Sequence, residues 1–153
     1  MIQTVYRITK TRYPCFDGTG AKITGGRWNS PGRPVVYCAE SMAGSLLEIL
    51  VHANTPMIPP GQHHCGRAHL NGGITVEAVE PGDLHGWDSA DERRSRAFGD
   101  QWLDENRTAI LVVPAATARP YGRNVLLNPA HPDFAHIHID DPVPVEWDPR
   151  LFR

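Results

Sequence analysis

Residues 34–52 read PVVYCAESMAGSLLEILVH and change from a strand pattern to a helix pattern at Ser41. The first part, PVVYCA, is rich in β-branched and aromatic residues, which favour strands. Ser41 can cap a helix, because its hydroxyl can accept a hydrogen bond from an amide of the first turn. The apolar residues that then recur at helical spacing are Met42, Leu46, Leu47, Leu50 and Val51. We predict a strand followed by a helix that ends near 54–56 and carries a single carboxylate, Glu48.

Comparable strand patterns lie on both sides of this unit, and turns rich in proline or glycine separate several of them. Strands are predicted at 2–8, 66–70, 74–79, 110–113, 124–127, 136–140 and 143–147, and a second amphipathic helix at 91–105. Residues 16–32, FDGTGAKITGGRWNSPG, contain five glycines and are predicted to form a loop whose backbone can approach a ligand closely. The whole pattern predicts an α+β fold with more strands than helices.

The length of 153 residues suits one domain, spanning 1–153, which is large enough to bury a hydrophobic core. The net charge is −2 and the basic residues are scattered, so the composition argues against direct binding of nucleic acid. No apolar stretch approaches the ~20 residues that a membrane span needs. The N-terminus lacks a signal-peptide pattern and the three cysteines form no disulfide framework, so we expect a cytoplasmic protein with reduced thiols.

Two short patterns resemble ligand sites without meeting their requirements. The segment GTG at 18–20 lacks the third glycine of a dinucleotide-binding fingerprint and does not open a predicted helix. The histidines and the cysteine of residues 63–69 lie close together but lack the spacing of a zinc site. We therefore predict neither a Rossmann-type nucleotide site nor a bound metal.

Several separated fragments together match a known pattern. They are Tyr6-Arg7, GGRWN at 25–29, Tyr37 in VVYCAES, Glu48 in SLLEILVH, and NVLLNPAHPDF at 124–134. In this order they resemble the RES-domain toxins of bacterial RES–Xre type II toxin–antitoxin systems. That family is named for an arginine, a glutamate and a serine, and Arg27 and Glu48 match the first two. In the segment VVPAATA, Ala115, or alternatively Ala116, stands where the family has its serine.

The resemblance implies a single RES-type domain with a fold similar to that of ADP-ribosyltransferases. It also implies an enzyme that consumes NAD as its substrate and needs no cofactor. Such toxins split the bond between nicotinamide and ribose, and they pass the ADP-ribosyl group to water, phosphate or a protein. A cognate helix-turn-helix antitoxin of the Xre type is the expected protein partner.

The residues that match the family are also chemically suited to NAD. An arginine presents a planar fork of donors to phosphate oxygens, so Arg27 and Arg7 are predicted to hold the pyrophosphate. Tyr37 is a candidate platform for the nicotinamide ring, with packing in the core as the alternative. Glu48 lies among apolar neighbours, where an unpaired carboxylate is costly, and is predicted to stabilise the cationic ribosyl carbon. The resemblance places Asn124 near the same cleft.

Other interpretations stay open at these positions. Arg27 and Arg7 can be solvated surface arginines, and Glu48 can lie at the wet edge of its helix beside a cation. The alanine at position 115 predicts slow turnover, because a hydroxyl that could contact a ribose or phosphate oxygen is missing. Two rival functions are also open: transfer of the ADP-ribosyl group to a protein, and a catalytically weak module that binds NAD or its antitoxin.

Overall fold

The computed structural model describes all 153 residues, and its strands form one mixed sheet of eight strands. The strands are β1 Thr4–Lys10, β2 Val36–Ala39, β3 His63–His69, β4 Val76–Ala78, β5 Ile110–Pro114, β6 Arg123–Leu127, β7 His138–Ile139 and β8 Val143–Pro144. The helices are α1 Thr19–Thr24, α2 Met42–His52 and α3 Arg93–Asp104, with 3₁₀ turns at Ala116–Ala118, Pro132–His136 and Pro149–Phe152. No helix has the length and apolar character that crossing a membrane would require.

The strand order is β4-β5-β6-β2-β1-β3-β7, and β8 also pairs with β3. Only β4 and β5 run parallel; the other neighbours are antiparallel. The pairing of β2 with β6 sets Tyr37 opposite Leu126 and Ala39 opposite Asn124. Antiparallel pairing therefore places the end of β2, where the chain turns into α2, beside the start of β6.

Both faces of the sheet are covered at β5, which is buried along its whole length. Ile110 and Val112 belong to one hydrophobic cluster, and Leu111 and Val113 belong to another. This alternation follows from the period of two in a strand, which sends successive side chains to opposite faces. The second cluster contains the tryptophans Trp28, Trp87 and Trp102.

The sequence-based fold predictions agree with the structure in class and in most elements. The fold is α+β as predicted, and the helix after Ser41 is present, with the Ser41 hydroxyl accepting a hydrogen bond from Gly44 N at 3.0 Å. The prediction that 16–32 is entirely loop is wrong, because α1 occupies Thr19–Thr24. That helix has six residues, none of them buried, so no apolar stripe marks it in the sequence.

Helix α3 approaches the segment 27–30 so closely that a side chain would not fit at the contact. A Cβ atom added to Gly99 would lie 1.7 Å from the carbonyl oxygen of Trp28. Hydrogen bonds lie on both sides of the contact between Gly99 and Trp28. On one side, Ser95 Oγ donates to the carbonyl oxygen of Arg27 at 2.7 Å. The Asp100 carboxylate accepts from the Ser30 amide at 2.7 Å and from the Ser30 hydroxyl at 2.6 Å. The helix thus fixes the backbone on both sides of Trp28.

The substitution Gly99→Ala should lower the free energy of unfolding by about 1–3 kcal/mol, the usual cost of overpacking a core. The added methyl group meets a backbone carbonyl, which cannot move without displacing the whole segment. Thermal unfolding measures the effect. The matched control is Gly72→Ala, since a Cβ at Gly72 would meet no atom within 4 Å. Equal melting temperatures for the two variants would contradict the proposed close contact.

Candidate active site

A cleft of about 1090 Å³ opens between β1, β2, α2 and the loop that precedes Trp28. Its basic lining residues are Arg7, Lys10, Arg12, Arg27 and Arg96. Its carboxylates are Glu48 and Glu92. The chain as a whole carries a charge of −2, so the positive charge is concentrated at the cleft. Such a concentration of positive charge attracts anionic ligands, phosphate esters among them.

Glu48 lies in α2 and faces this cleft with one of its oxygens held in place. Its Oε1 atom accepts a hydrogen bond from Thr117 Oγ1 at 2.6 Å and another from Asn124 Nδ2 at 3.1 Å. Its Oε2 atom accepts no hydrogen bond from the protein and takes part in no ion pair. The carboxylate is therefore oriented by two neutral donors, and one oxygen stays available to a ligand.

Arg27 is anchored by one arm of its guanidinium group. Its Nη1 atom donates to the carbonyl oxygens of Trp87 and Ser89, each at 3.2 Å. The Nε and Nη2 atoms have no protein acceptor, so the side chain keeps donors for a phosphate. The carbonyl oxygen of Trp87 belongs to a segment 60 residues away in sequence. Local sequence patterns therefore do not predict this hydrogen bond.

Tyr37 lines the cleft and also packs against the cluster that contains the tryptophans, so the core packing considered for it is present. Its hydroxyl donates to Asn29 Oδ1 at 2.6 Å and accepts from the Trp28 amide at 2.9 Å. A Cβ at Gly26 would lie 2.7 Å from that hydroxyl, so this position leaves no room for a side chain. Tyr37 therefore shapes the loop that carries Arg27.

Arg7 connects β1 to the neighbouring strand at the floor of the cleft. Its Nη1 atom donates to the carbonyl oxygen of Tyr37 at 2.9 Å. The remaining guanidinium nitrogens have no protein acceptor, and Arg7 is among the residues that line the cleft. One end of the fork is thus used for structure, and the other is free to contact a ligand.

The structure brings together five of the six residues predicted for the site. Those that line the cleft are Arg7, Arg27, Tyr37, Glu48 and Asn124. Ala115 is not among them: it is 3% exposed, and its amide donates to the carbonyl oxygen of Gly122 at 2.9 Å. Ala115 therefore does not face the cleft, whereas Ala116, the alternative position for the family's serine, does line it.

Thr117 and Arg96 are among the cleft residues that the sequence did not point to. Thr117 offers the hydroxyl nearest in sequence to the alanine at 115, and that proximity was a usable signal. Arg96 lies within the charged run DERRSR, where the sequence does not distinguish a cleft arginine from a solvated one. In the structure Arg96 Nε donates to the carbonyl oxygen of Gly26 at 3.4 Å.

Comparison with known proteins places this arrangement in a family. The sequence model of the RES domain matches residues 4–148. The chain belongs to the RES domain family. A Prs ADP-ribosylating toxin of Sphingobium sp. (strain YBL2) is 40% identical over 141 residues, which cover 90% of this chain and 87% of that relative. A protein named Toxin Res, from Pseudomonas putida (strain KT2440), is 38% identical over 143 residues, which cover 92% of this chain and 94% of the relative.

A solved structure extends the match to the fold. One chain in the crystal structure of the M. tuberculosis MbcT–MbcA toxin–antitoxin complex superimposes with a TM-score of 0.77. The alignment covers 98% of this chain and 86% of that chain at 18% sequence identity. The RES family predicted from the separated fragments is therefore confirmed, as is the α+β fold.

Burial raises the pKa of Tyr37 well above the ordinary tyrosine value, although the hydrogen bond from the Trp28 amide partly opposes it. The neutral phenol is thus favoured in the folded state. Its contribution to stability is fully present below the ordinary value of about 10 and is lost as the pH rises above it. We expect a late component in a titration of phenolate absorbance. Tyr37→Phe should remove that component, whereas Tyr121→Phe, at an exposed position, should leave it in place.

Proposed function

We propose that this RES domain is a toxin that cleaves the nicotinamide–ribose bond of NAD. The observation that carries the proposal is the carboxylate of Glu48, held through Oε1 by Thr117 and Asn124 in the wall of a cleft rich in arginine. The names of the relatives support the same proposal, since both are called toxins and one is called ADP-ribosylating.

The cleft meets the two demands that NAD makes on a protein. The pyrophosphate carries two negative charges, which the free donors of Arg27 and Arg7 can bind bidentately. The ribosyl carbon becomes cationic as its bond to nicotinamide lengthens, and a fixed carboxylate lowers the energy of that state. The volume of about 1090 Å³ accommodates a ligand of this size.

The bond cleavage follows from these contacts. The bond between the ribose C1′ atom and the nicotinamide nitrogen breaks, and its electron pair leaves with nicotinamide, which becomes neutral. Glu48 stabilises the oxocarbenium-like ribose through its free Oε2 atom. When water is the acceptor, its oxygen bonds to C1′ and its proton is released, giving ADP-ribose. Glu48 is placed to polarise that water as well.

Transfer of the ADP-ribosyl group to a protein is the second candidate, and one observation favours it. The relative from Sphingobium is named for ADP-ribosylating Prs and is 40% identical to this chain. Incubating the purified protein with NAD, in the presence and absence of Prs, separates the two outcomes. Free ADP-ribose in both reactions supports hydrolysis, whereas modification of Prs supports transfer. No release of nicotinamide under either condition would contradict the proposed activity.

The substitution Glu48→Gln should reduce turnover of NAD by about a hundredfold to a thousandfold, because the negative charge that stabilises the transition state is removed. Binding of NAD should change little, since the glutamine amide oxygen can still accept from Thr117 and Asn124. Nicotinamide release measures turnover, and titration calorimetry measures binding.

Two variants serve as comparisons for Glu48→Gln. Glu146→Gln changes an exposed glutamate outside the cleft and should keep the parental rate. Arg27→Ala should instead weaken NAD binding by about tenfold to a hundredfold, the worth of a charged hydrogen bond. Its kcat should change less, because a phosphate contact stabilises the ground and transition states alike. Parental turnover by Glu48→Gln would show that the carboxylate has only a structural role.

We also infer a protein partner of the Xre type that holds the toxin inactive. Support comes from the relatives named as toxins and from the solved complex of a toxin and its antitoxin. Co-expression with the product of the neighbouring gene should yield a stable complex, recovered by affinity purification through a tag on one partner. NAD cleavage by that complex should be lower than by the free protein. Undiminished cleavage would argue against inhibition by this partner.

A further inference from the structure

The hydroxyl of Thr117 lies beside the carboxylate of Glu48, and position 115, to which the resemblance assigns the family's serine, is an alanine. We propose that Thr117 is the positioning residue for Glu48, with its hydroxyl as the donor that orients the carboxylate. The inference rests on the proposed function, because it concerns the same carboxylate. It also leads to a different expectation about rate: the alanine at 115 does not by itself leave the site without a hydroxyl.

The contact between the two side chains has the geometry of a strong hydrogen bond. Thr117 Oγ1 lies 2.6 Å from Glu48 Oε1 in a partly buried setting. Hydroxyl-to-carboxylate bonds of this length are among the stronger ones in proteins. A threonine hydroxyl has one proton to donate, and no other acceptor takes it here, so the bond is directed at Glu48.

The backbone around Thr117 is held tightly. Thr117 lies in the 3₁₀ turn Ala116–Ala118, which directly follows β5. The turn is closed by a bond from the Ala118 amide to the Ala115 carbonyl at 3.2 Å and one from the Gly122 amide to the Ala118 carbonyl at 2.7 Å. A Cβ at Gly122 would lie 2.3 Å from the Ala118 Cβ. A hydroxyl presented from so closed a turn is positioned before any ligand binds, which is what transition-state stabilisation requires.

Thr117 and Asn124 together restrain the carboxylate in a way that neither does alone. Both donors bind Oε1, one from the turn after β5 and the other from β6. A carboxylate with a single donor can still rotate about its terminal bond, whereas two donors from different directions fix its plane. The plane determines where Oε2 points, and Oε2 is the oxygen that the protein leaves free. Thr117 therefore acts on the reaction through Glu48.

Position 115 does not face the cleft. It is 3% exposed and does not line the cleft, although Pro114, Ala116 and Thr117 do. A hydroxyl at position 115 would be enclosed by the protein and would not line the cleft. The adjacent turn carries the hydroxyl that reaches Glu48.

The experiment compares Thr117→Val, which removes the hydroxyl and keeps a branched side chain, with Thr117→Ser, which keeps the hydroxyl. Steady-state NAD cleavage is measured together with thermal unfolding. For Thr117→Val we expect kcat to fall by about tenfold to a hundredfold, the worth of a hydrogen bond to a charged group, with little change in KM. Thr117→Ser should recover most of the lost kcat. Both variants should fold, with Thr117→Ser melting close to the parent protein and Thr117→Val somewhat below it.

The control is Thr55→Val, which removes a hydroxyl that bonds only its own loop, through Met57. It should leave kcat unchanged. If Thr117→Val does not fold, Thr117→Ala is measured in its place, with the same expected fall and the same rescue by serine. A parental kcat in the folded valine or alanine variant overturns the inference, as does a serine variant that is as slow as valine. Failure of the parent protein itself to release nicotinamide overturns the proposed function, and this inference with it.

Discussion

The contact between Gly99 and the carbonyl oxygen of Trp28 is the constraint on which the arrangement of the cleft depends. At this point the backbone of α3 lies directly against the Trp28 carbonyl group, and only glycine leaves the necessary room. The bonds made by Ser95 and Asp100 then fix the backbone before and after Trp28. Without these bonds, a loop rich in glycine would sample many conformations. Ordering the loop on ligand binding would then cost conformational entropy and weaken the binding. The helix lowers that cost.

The two sides of the cleft are held by different means. The Arg27 side chain donates hydrogen bonds to backbone carbonyls of a loop distant in sequence. Its position therefore depends on the fold of residues 87–89. Glu48 sits on a regular helix and is oriented by side-chain donors. The charged residues are distributed unevenly over the protein. The net charge of the chain is −2, yet five basic residues line one cleft. The overall charge therefore says little about which ligand such a protein binds.

Sequence patterns predicted those parts of the protein that are determined locally. Helix α2 was predictable because the Ser41 cap and the apolar stripe lie within one short stretch. The match of separated fragments located Arg27 and Glu48 without a structure. Asn124 was placed near the cleft by the same match, but its hydrogen bond to Glu48 and that of Thr117 were not predictable from local patterns. Thr117 lies 69 residues from Glu48 and is brought close only by the pairing of β5, β6 and β2. Helix α1 was missed because it has no buried face.

The long sequence separation of these partners also bears on how the protein is made. Glu48 and Asn124 are 76 residues apart, and translation at about 5–20 residues per second needs roughly 4–15 seconds to cover that distance. Strand β6, which brings Asn124 to the end of β2, is among the later strands to leave the ribosome. The nascent chain therefore carries its acidic residue for several seconds without the donors that orient it. The site is in this way completed only late in the synthesis of the chain.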